Sequence, residues 1–225
     1  MIKNKLNIQE RVEFISLFLI ILLIISNAII NNDSNIAVIS AICGIIYTFL
    51  AGKGVPICYL FGVIGSSFYA YLAFSNAIWG NVLLYLIYYI PMQVLGYLKW
   101  NKNLKLDKME IIKIKLPKKD LYFLILILVL LTFIVYNILN QFNDVHPVID
   151  SITTIFSIGG MYLTVRRAIE QWIFWAFVNL LSLIMWLNIL LGGIPVCSTV
   201  IMWSIYLLLS IYFYIKWSSE IKNYN

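Results

Sequence analysis

Residues 171–190 read QWIFWAFVNLLSLIMWLNIL. None of them is charged, and the run is as long as the roughly 20 residues an α-helix needs to cross a bilayer core. Within it Trp172, Trp175, Asn179, Ser182 and Trp186 recur three or four positions apart, so on a helix they share one face. Their neighbours Ile173, Phe174, Phe177, Leu180, Leu181, Leu183 and Ile184 are apolar. A polar and aromatic stripe on a helix in lipid must turn away from the lipid, toward other helices or toward a cavity. We read it as lining a binding site, with helix packing as the alternative use.

The rest of the chain is built the same way. Of 225 residues, 62% are hydrophobic and 12% charged, which excludes an ordinary soluble domain. Eight apolar stretches, 14–30, 36–51, 55–74, 77–98, 120–140, 148–165, 171–190 and 195–217, leave only short loops, one basic segment and two tails. The expected fold is therefore an all-α integral membrane protein of about eight transmembrane helices, without an aqueous domain. Span one has a basic start and a Ser26-Asn27-Ala28 stretch, but its apolar run is too long for a signal peptide and lacks a good cleavage site. It is read as a retained helix.

The net charge of +6 reports topology, and no nucleic-acid partner is expected. Lys3, Lys5 and Arg11 precede span one, and Lys53 follows span two. Eight lysines from Lys99 to Lys119 lie between spans four and five; Arg166 and Arg167 follow span six; Lys216 and Lys222 end the chain. All 16 basic residues fall on one side, while the opposite loops carry Asp33, Asp144 and His146. By the positive-inside rule both termini are cytoplasmic. The basic 99–119 segment reads as a solvated loop touching anionic headgroups. Trp79, Trp100 and Trp217, at span ends, read as interfacial anchors.

An internal repeat is visible. Gly96-Tyr97-Leu98-Lys99-Trp100 ends span four and Phe213-Tyr214-Ile215-Lys216-Trp217 ends span eight, 117 positions later. Ser66 pairs with Ser182 at offset 116 and Tyr47 with Tyr162 at offset 115. The chain then divides into an N-terminal tail and helix (1–35), a first three-helix repeat (36–100), a basic loop and linker helix (101–147), a second repeat (148–217) and a tail (218–225). An odd linker helix makes the two repeats parallel. Parallel repeats are a transporter architecture whose site lies near the midplane between the halves.

At that depth the chain places Asn81, Tyr85, Tyr88, Tyr89 and Gln93 on span four, Ser66 on span three, and Asn179 and Ser182 on span seven. These are neutral donors and acceptors beside π faces, with no carboxylate or lysine. Such a set suits a flat ring, cationic or not, held by stacking and cation–π contacts while amides and hydroxyls read its polar edge. Catalysis is not indicated. His146 is the one histidine, paired carboxylates are missing, and Cys43, Cys58 and Cys197 have no metal-ligand spacing. No cofactor or metal is expected. Asp150 reads as a helix-start residue.

The pattern Trp172-x-x-Trp175-x-x-x-Asn179-x-x-Ser182, together with Tyr88-Tyr89-x-Pro91-x-Gln93-x-x-Gly96-x-x-x-Trp100, resembles the PnuC family of bacterial vitamin transporters over about residues 36–217. The resemblance implies two parallel three-helix bundles around a linker helix, as in SWEET sugar transporters. It implies a homotrimer in the bacterial inner (cytoplasmic) membrane. It also implies facilitated uptake of nicotinamide riboside, trapped by cytoplasmic phosphorylation; thiamine and riboflavin are the substrates of sister specificities. Carried over by position, Trp172, Trp175 and Asn179 would line the site from span seven, and Tyr89 and Gln93 from span four. Lipid and the small molecule are the expected partners.

Overall fold

The computed structural model describes residues 8–31, 34–75, 82–105, 110–142, 147–193 and 197–222. The architecture is all-helical. Helix α1 spans Ile8–Asn31, α2 Asn35–Lys53 and α3 Cys58–Ser75. Helix α4 is a π-helical segment, Leu84–Tyr89, that runs straight into an α-helix, Ile90–Asn101. Then come α5 (Lys118–Gln141), α6 (Pro147–Val165), α7 (Gln171–Leu191) and α8 (Cys197–Lys222). Among the described residues, α1, α2, α5, α6, α7 and α8 are long and apolar enough to cross a membrane by length and composition, and α3 holds a shorter apolar helix, Cys58–Leu72. The wide π turn of α4 sits just ahead of Pro91, whose ring would otherwise press on the carbonyl one turn back.

Helices α2, α3 and α4 pack as one bundle and α6, α7 and α8 as another, with α5 laid on α6. The bundles meet along two seams, α4 on α6 and α2 on α8. Under the repeat each seam maps onto the other. Helix α1 is pinned across α2 and α8. Its Glu13, 6% exposed, pairs with Lys53 of α2 and, at 2.6 Å, with Lys216 of α8, and accepts from the Tyr212 hydroxyl.

The structure also sets the register of the repeat. Each first helix ends in a left-handed residue, Gly54 (φ 73°) and Arg167 (φ 64°), 113 positions apart. The following amides close the same turn, Val55 N to Leu50 O (3.1 Å) and Ala168 N to Leu163 O (3.0 Å). The next helices start at Cys58 and Gln171, again 113 apart. Only α4 and α8 keep the 117 offset of Trp100 and Trp217. Tyr47 therefore corresponds to Gly160 and Ser66 to Asn179; the sequence pairings with Tyr162 and Ser182 are corrected. Arg167 is not glycine, and its strained backbone is held by Arg167 N to Thr164 O (2.9 Å) and by its Nη1 on Ile112 O (2.8 Å).

The segment between α4 and α5 differs from expectation as well. It folds back on itself through Lys105 N to Glu110 O and Ile112 N to Asn103 O, both 2.8 Å. Ile111 is 0% and Leu116 5% exposed. Apolar residues alternating with the lysines explain this: Ile111, Ile114 and Leu116 have core to reach, and a headgroup-level loop would leave them wet.

Candidate functional site

Polar and aromatic side chains from both bundles converge where the seams meet. On the first bundle Gln93 Nε2 of α4 donates to Ser66 Oγ of α3 at 3.0 Å, and both are buried. On the second, Asn179 Nδ2 of α7 donates to Ser210 Oγ of α8 at 3.0 Å. The Ser210 hydroxyl itself donates to Tyr206 O (2.8 Å), so its oxygen is free to accept. In the corrected register these are one device used twice with the partners exchanged. Ser66 aligns with Asn179 and Gln93 with Ser210. Each bundle thus presents one carboxamide fixed through its NH2. The Gln93 carbonyl Oε1 is buried without a partner among the described residues. An acceptor in that state is short by about 1–3 kcal/mol until a donor reaches it.

Aromatic groups surround these amides. Tyr47 packs over Gly62, where a Cβ would lie 2.9 Å from the Tyr47 ring and 3.1 Å from the Gln93 amide. Its hydroxyl reaches across to Met161 Sδ of the other bundle at 3.9 Å. Met161 packs with Tyr89, and Tyr85, Tyr88 and Trp175 flank them. Trp175 lies over Gly160, 3.1 Å from a Cβ there, and donates to Thr164 Oγ1 at 3.1 Å. Tyr88 donates to Ile158 O across the α4–α6 seam at 2.7 Å. Tyr85 stacks on Tyr69 with centroids 4.5 Å apart. Tyr206 reaches α2 on the second seam, its hydroxyl 2.5 Å from a Cβ at Gly44.

Of the residues singled out from the sequence, Ser66, Tyr85, Tyr88, Tyr89, Gln93, Trp175 and Asn179 belong to this convergence. Ser182 is buried one turn beyond Asn179, and Trp186 is half-buried a further turn along α7. Asn81 and Trp79 lie outside the described residues. Trp172 sits elsewhere, in an aromatic cluster at the lysine-rich end, with Phe213 at 5.3 Å and Trp217 at 5.6 Å. Sequence reasoning missed Tyr47, Gly62, Gly160, Met161 and Ser210, whereas Tyr206 is at the midplane of span eight, as its place in the sequence suggests. A large residue on one helix facing glycine on the next is the signal that would have found the first three, once the register was right.

The cluster at the lysine-rich end joins the bundles. Trp100 and Trp217 are both 0% exposed, so neither is an interfacial anchor. Trp100 Nε1 donates to Thr164 O of α6 at 2.9 Å, and Trp217 Nε1 donates to Gly52 O of α2 at 2.7 Å. Each indole bridges to the opposite bundle, and each packs edge-on against the second helix of its own, Tyr59 with Trp100 (5.0 Å, 80°) and Trp172 with Trp217 (5.6 Å, 83°). Tyr59 Oη and Trp172 Nε1 are buried there without partners among the described residues, as is the Gln171 amide. Lys113 covers this end: its ammonium pairs with Glu220 and lies 4.9 Å over the Trp217 ring. Burial pulls its pKa below the usual lysine value against the opposing pull of Glu220.

Among the described residues no cluster of His, Cys, Asp and Glu could hold a metal ion. Chemically the convergence offers two fixed carboxamides, tyrosine hydroxyls and π faces, which is equipment for binding and not for bond-breaking.

Comparisons with known proteins agree in kind. Residues 34–219 match the family model described as nicotinamide mononucleotide transporter. A curated relative from Neisseria mucosa, the nicotinamide riboside transporter PnuC, is 30% identical over 202 residues, covering 88% of this chain and 77% of its own. The protein of the same name from Haemophilus influenzae is 31% identical over 195 residues, 86% of this chain and 83% of its own. A crystal structure of the vitamin B3 transporter PnuC superposes with a TM-score of 0.81 at 28% identity, covering 95% of this chain and 93% of that one.

Proposed function

The chain belongs to the nicotinamide mononucleotide transporter family, and from that premise we propose that it carries nicotinamide riboside into the cell by facilitated diffusion. It is a multi-pass membrane transporter and not an enzyme. The observation that carries the substrate reading is the pair of carboxamides, Gln93 and Asn179, each fixed through its NH2 to a serine on a neighbouring helix. A carboxamide whose nitrogen is committed offers its carbonyl oxygen, and the amide of a nicotinamide ring supplies the matching N–H donors. Trp175, Tyr85, Tyr88 and Tyr89 supply π faces for a pyridinium, a cation–π contact worth ~2 kcal/mol or more when desolvated. Ser66, Ser182 and Trp186 complete the lining. Trp172 closes the site at the lysine-rich end.

Uptake down a gradient fits the chemistry of the spans, because no Asp or Glu lies in the central turns of α2, α3, α4, α6, α7 or α8. Coupled ion transport ordinarily uses one. The positive-inside rule supports a cytoplasmic lysine-rich end, with both termini on the cytoplasmic side of a bacterial inner membrane. The functional unit is a homotrimer. Transport proceeds by rocking one bundle against the other around the fixed site.

Calorimetric titration of the detergent-purified protein with nicotinamide riboside, thiamine and riboflavin tests the reading. Micromolar or tighter binding of nicotinamide riboside alone is expected. Binding of thiamine or riboflavin instead would assign a sister specificity.

A further inference from the structure

Transport alone does not require the segment between α4 and α5 to be packed, yet it is. We propose that residues 110–116 form a bolt across the cytoplasmic gate, whose two leaves are the Trp100 and Trp217 bridges. Ile111 N donates to Gly54 O at 2.9 Å, at the left-handed corner of the first bundle. Ile114 N donates to Arg167 O at 3.1 Å, at the corresponding corner of the second, and Ile114 O accepts from Ile169 N at 2.9 Å. One short strand therefore ties equivalent points of both bundles. Between those two ties the Ile111 side chain is fully buried in the cluster that holds Trp100, Trp172, Phe213 and Trp217. Past Lys113, Leu116 N is held by the Glu170 carboxylate at 3.2 Å.

Geometry makes the strand a limit on opening. Three residues separate Ile111 from Ile114, and an extended chain covers at most ~3.6 Å per residue. Ile111 and Ile114 therefore cannot lie more than about 11 Å apart, and the Gly54 and Arg167 carbonyls can exceed that only by the lengths of the two ties, 2.9 and 3.1 Å, while both hold. Opening the seams α2–α8 and α4–α6 at this end breaks both indole bridges and withdraws Ile111, and the Lys113–Glu220 pair must let go for Ile111 to leave. The bolt is thus a conformational device separate from the substrate site. It rests on the alternating-access reading above, but its test needs no substrate.

Cys58 is a native reporter. It begins α3, is 0% exposed, and packs in the same cluster. In a chain with Cys43→Ser and Cys197→Ser, Cys58 is the remaining thiol. A membrane-impermeant maleimide applied to the cytoplasmic face of inside-out vesicles should label it slowly. Ile111→Ala and Lys113→Ala should each raise the labelling rate tenfold or more, and Lys113→Glu combined with Glu220→Lys should return it to the parent value. Unchanged labelling in both single variants, recovered folded, would overturn the proposal. Should the variants fold poorly, the parent decides the matter: Cys58 must not be labelled faster than the Ile111 and Ile114 amides exchange with deuterium, and faster labelling refutes the bolt. A failed nicotinamide riboside titration would leave either labelling result standing.

Discussion

Replacing Asn179 by alanine separates a binding residue from a packing one. Its Nδ2 makes one neutral hydrogen bond, to Ser210 Oγ at 3.0 Å, inside the second bundle. Such bonds between helices in membranes average ~0.6 kcal/mol and reach ~1.7 kcal/mol. Ser210 keeps its own bond to Tyr206 O after the substitution, so no donor is stranded and the lower part of that range applies. At a shift of ~2–4 °C per kcal/mol for a chain of this size, a loss near ~0.6 kcal/mol should lower the melting temperature by about 1–3 °C. Ligand binding should suffer far more. Losing an amide that reads the edge of a ring costs at least ~1.4 kcal/mol, a tenfold rise in Kd. Ser210→Ala is the control: it removes the same bond but keeps the amide and strands its buried donor, so it should lower the melting temperature at least as much with a smaller loss of affinity. The assay is calorimetry with nicotinamide riboside beside thermal unfolding of the same samples. A folded Asn179→Ala protein that binds as tightly as the parent would refute the assignment.

Three further outcomes are expected. Trp100→Phe and Trp217→Phe each delete one cross-bundle indole donor, and each should lower stability by about 1–2 kcal/mol with near-equal effect, as repeat-related positions should in thermal unfolding. Gly96→Ala puts a methyl into the Tyr59 ring, so overpacking of ~1–3 kcal/mol should appear as a lower melting temperature while nicotinamide riboside affinity holds. Glu13→Gln strands Lys53 and Lys216 around a neutral side chain, a loss of about 3 kcal/mol for a largely buried pair, and should expose α1 to limited proteolysis.

Much of the architecture was legible because lipid leaves few options. Apolar runs of membrane length and one-sided lysines suffice for the helices and their order. The stripe on α7 was legible for the same reason, since Asn179 has no use for lipid. What escaped detection depended on pairing between helices, which hydropathy does not carry. Trp100 and Trp217 have the sequence position of anchors, but each faces the other bundle's backbone carbonyl and not water. Ile111, Ile114 and Leu116 were hidden among lysines. The register of the repeat was missed because equivalent helices do not keep like residues. Tyr47 and Gly62 in one bundle answer to Gly160 and Trp175 in the other, so a comparison of identities slides to chance matches such as Ser66 with Ser182. Trp172 carries the motif spacing yet lies in the basic-end cluster, because the three- and four-residue steps of a helix fix a face and not a depth.

That exchange of large and small residues has a consequence for how a ligand lies. A perfectly twofold cavity would accept a molecule equally well in two opposite poses, and half of all encounters would present the wrong end to the exit. Here glycine stands at 62 where tryptophan stands at 175, and serine at 66 where asparagine stands at 179. The twofold relation of the repeats is broken at these positions, while the helix order of the bundles keeps it. The convergence is therefore handed: Tyr47, on the first helix of one bundle, fills the space over Gly62, while Trp175, on the second helix of the other, fills the space over Gly160, so the two walls present their aromatic faces from non-equivalent helices.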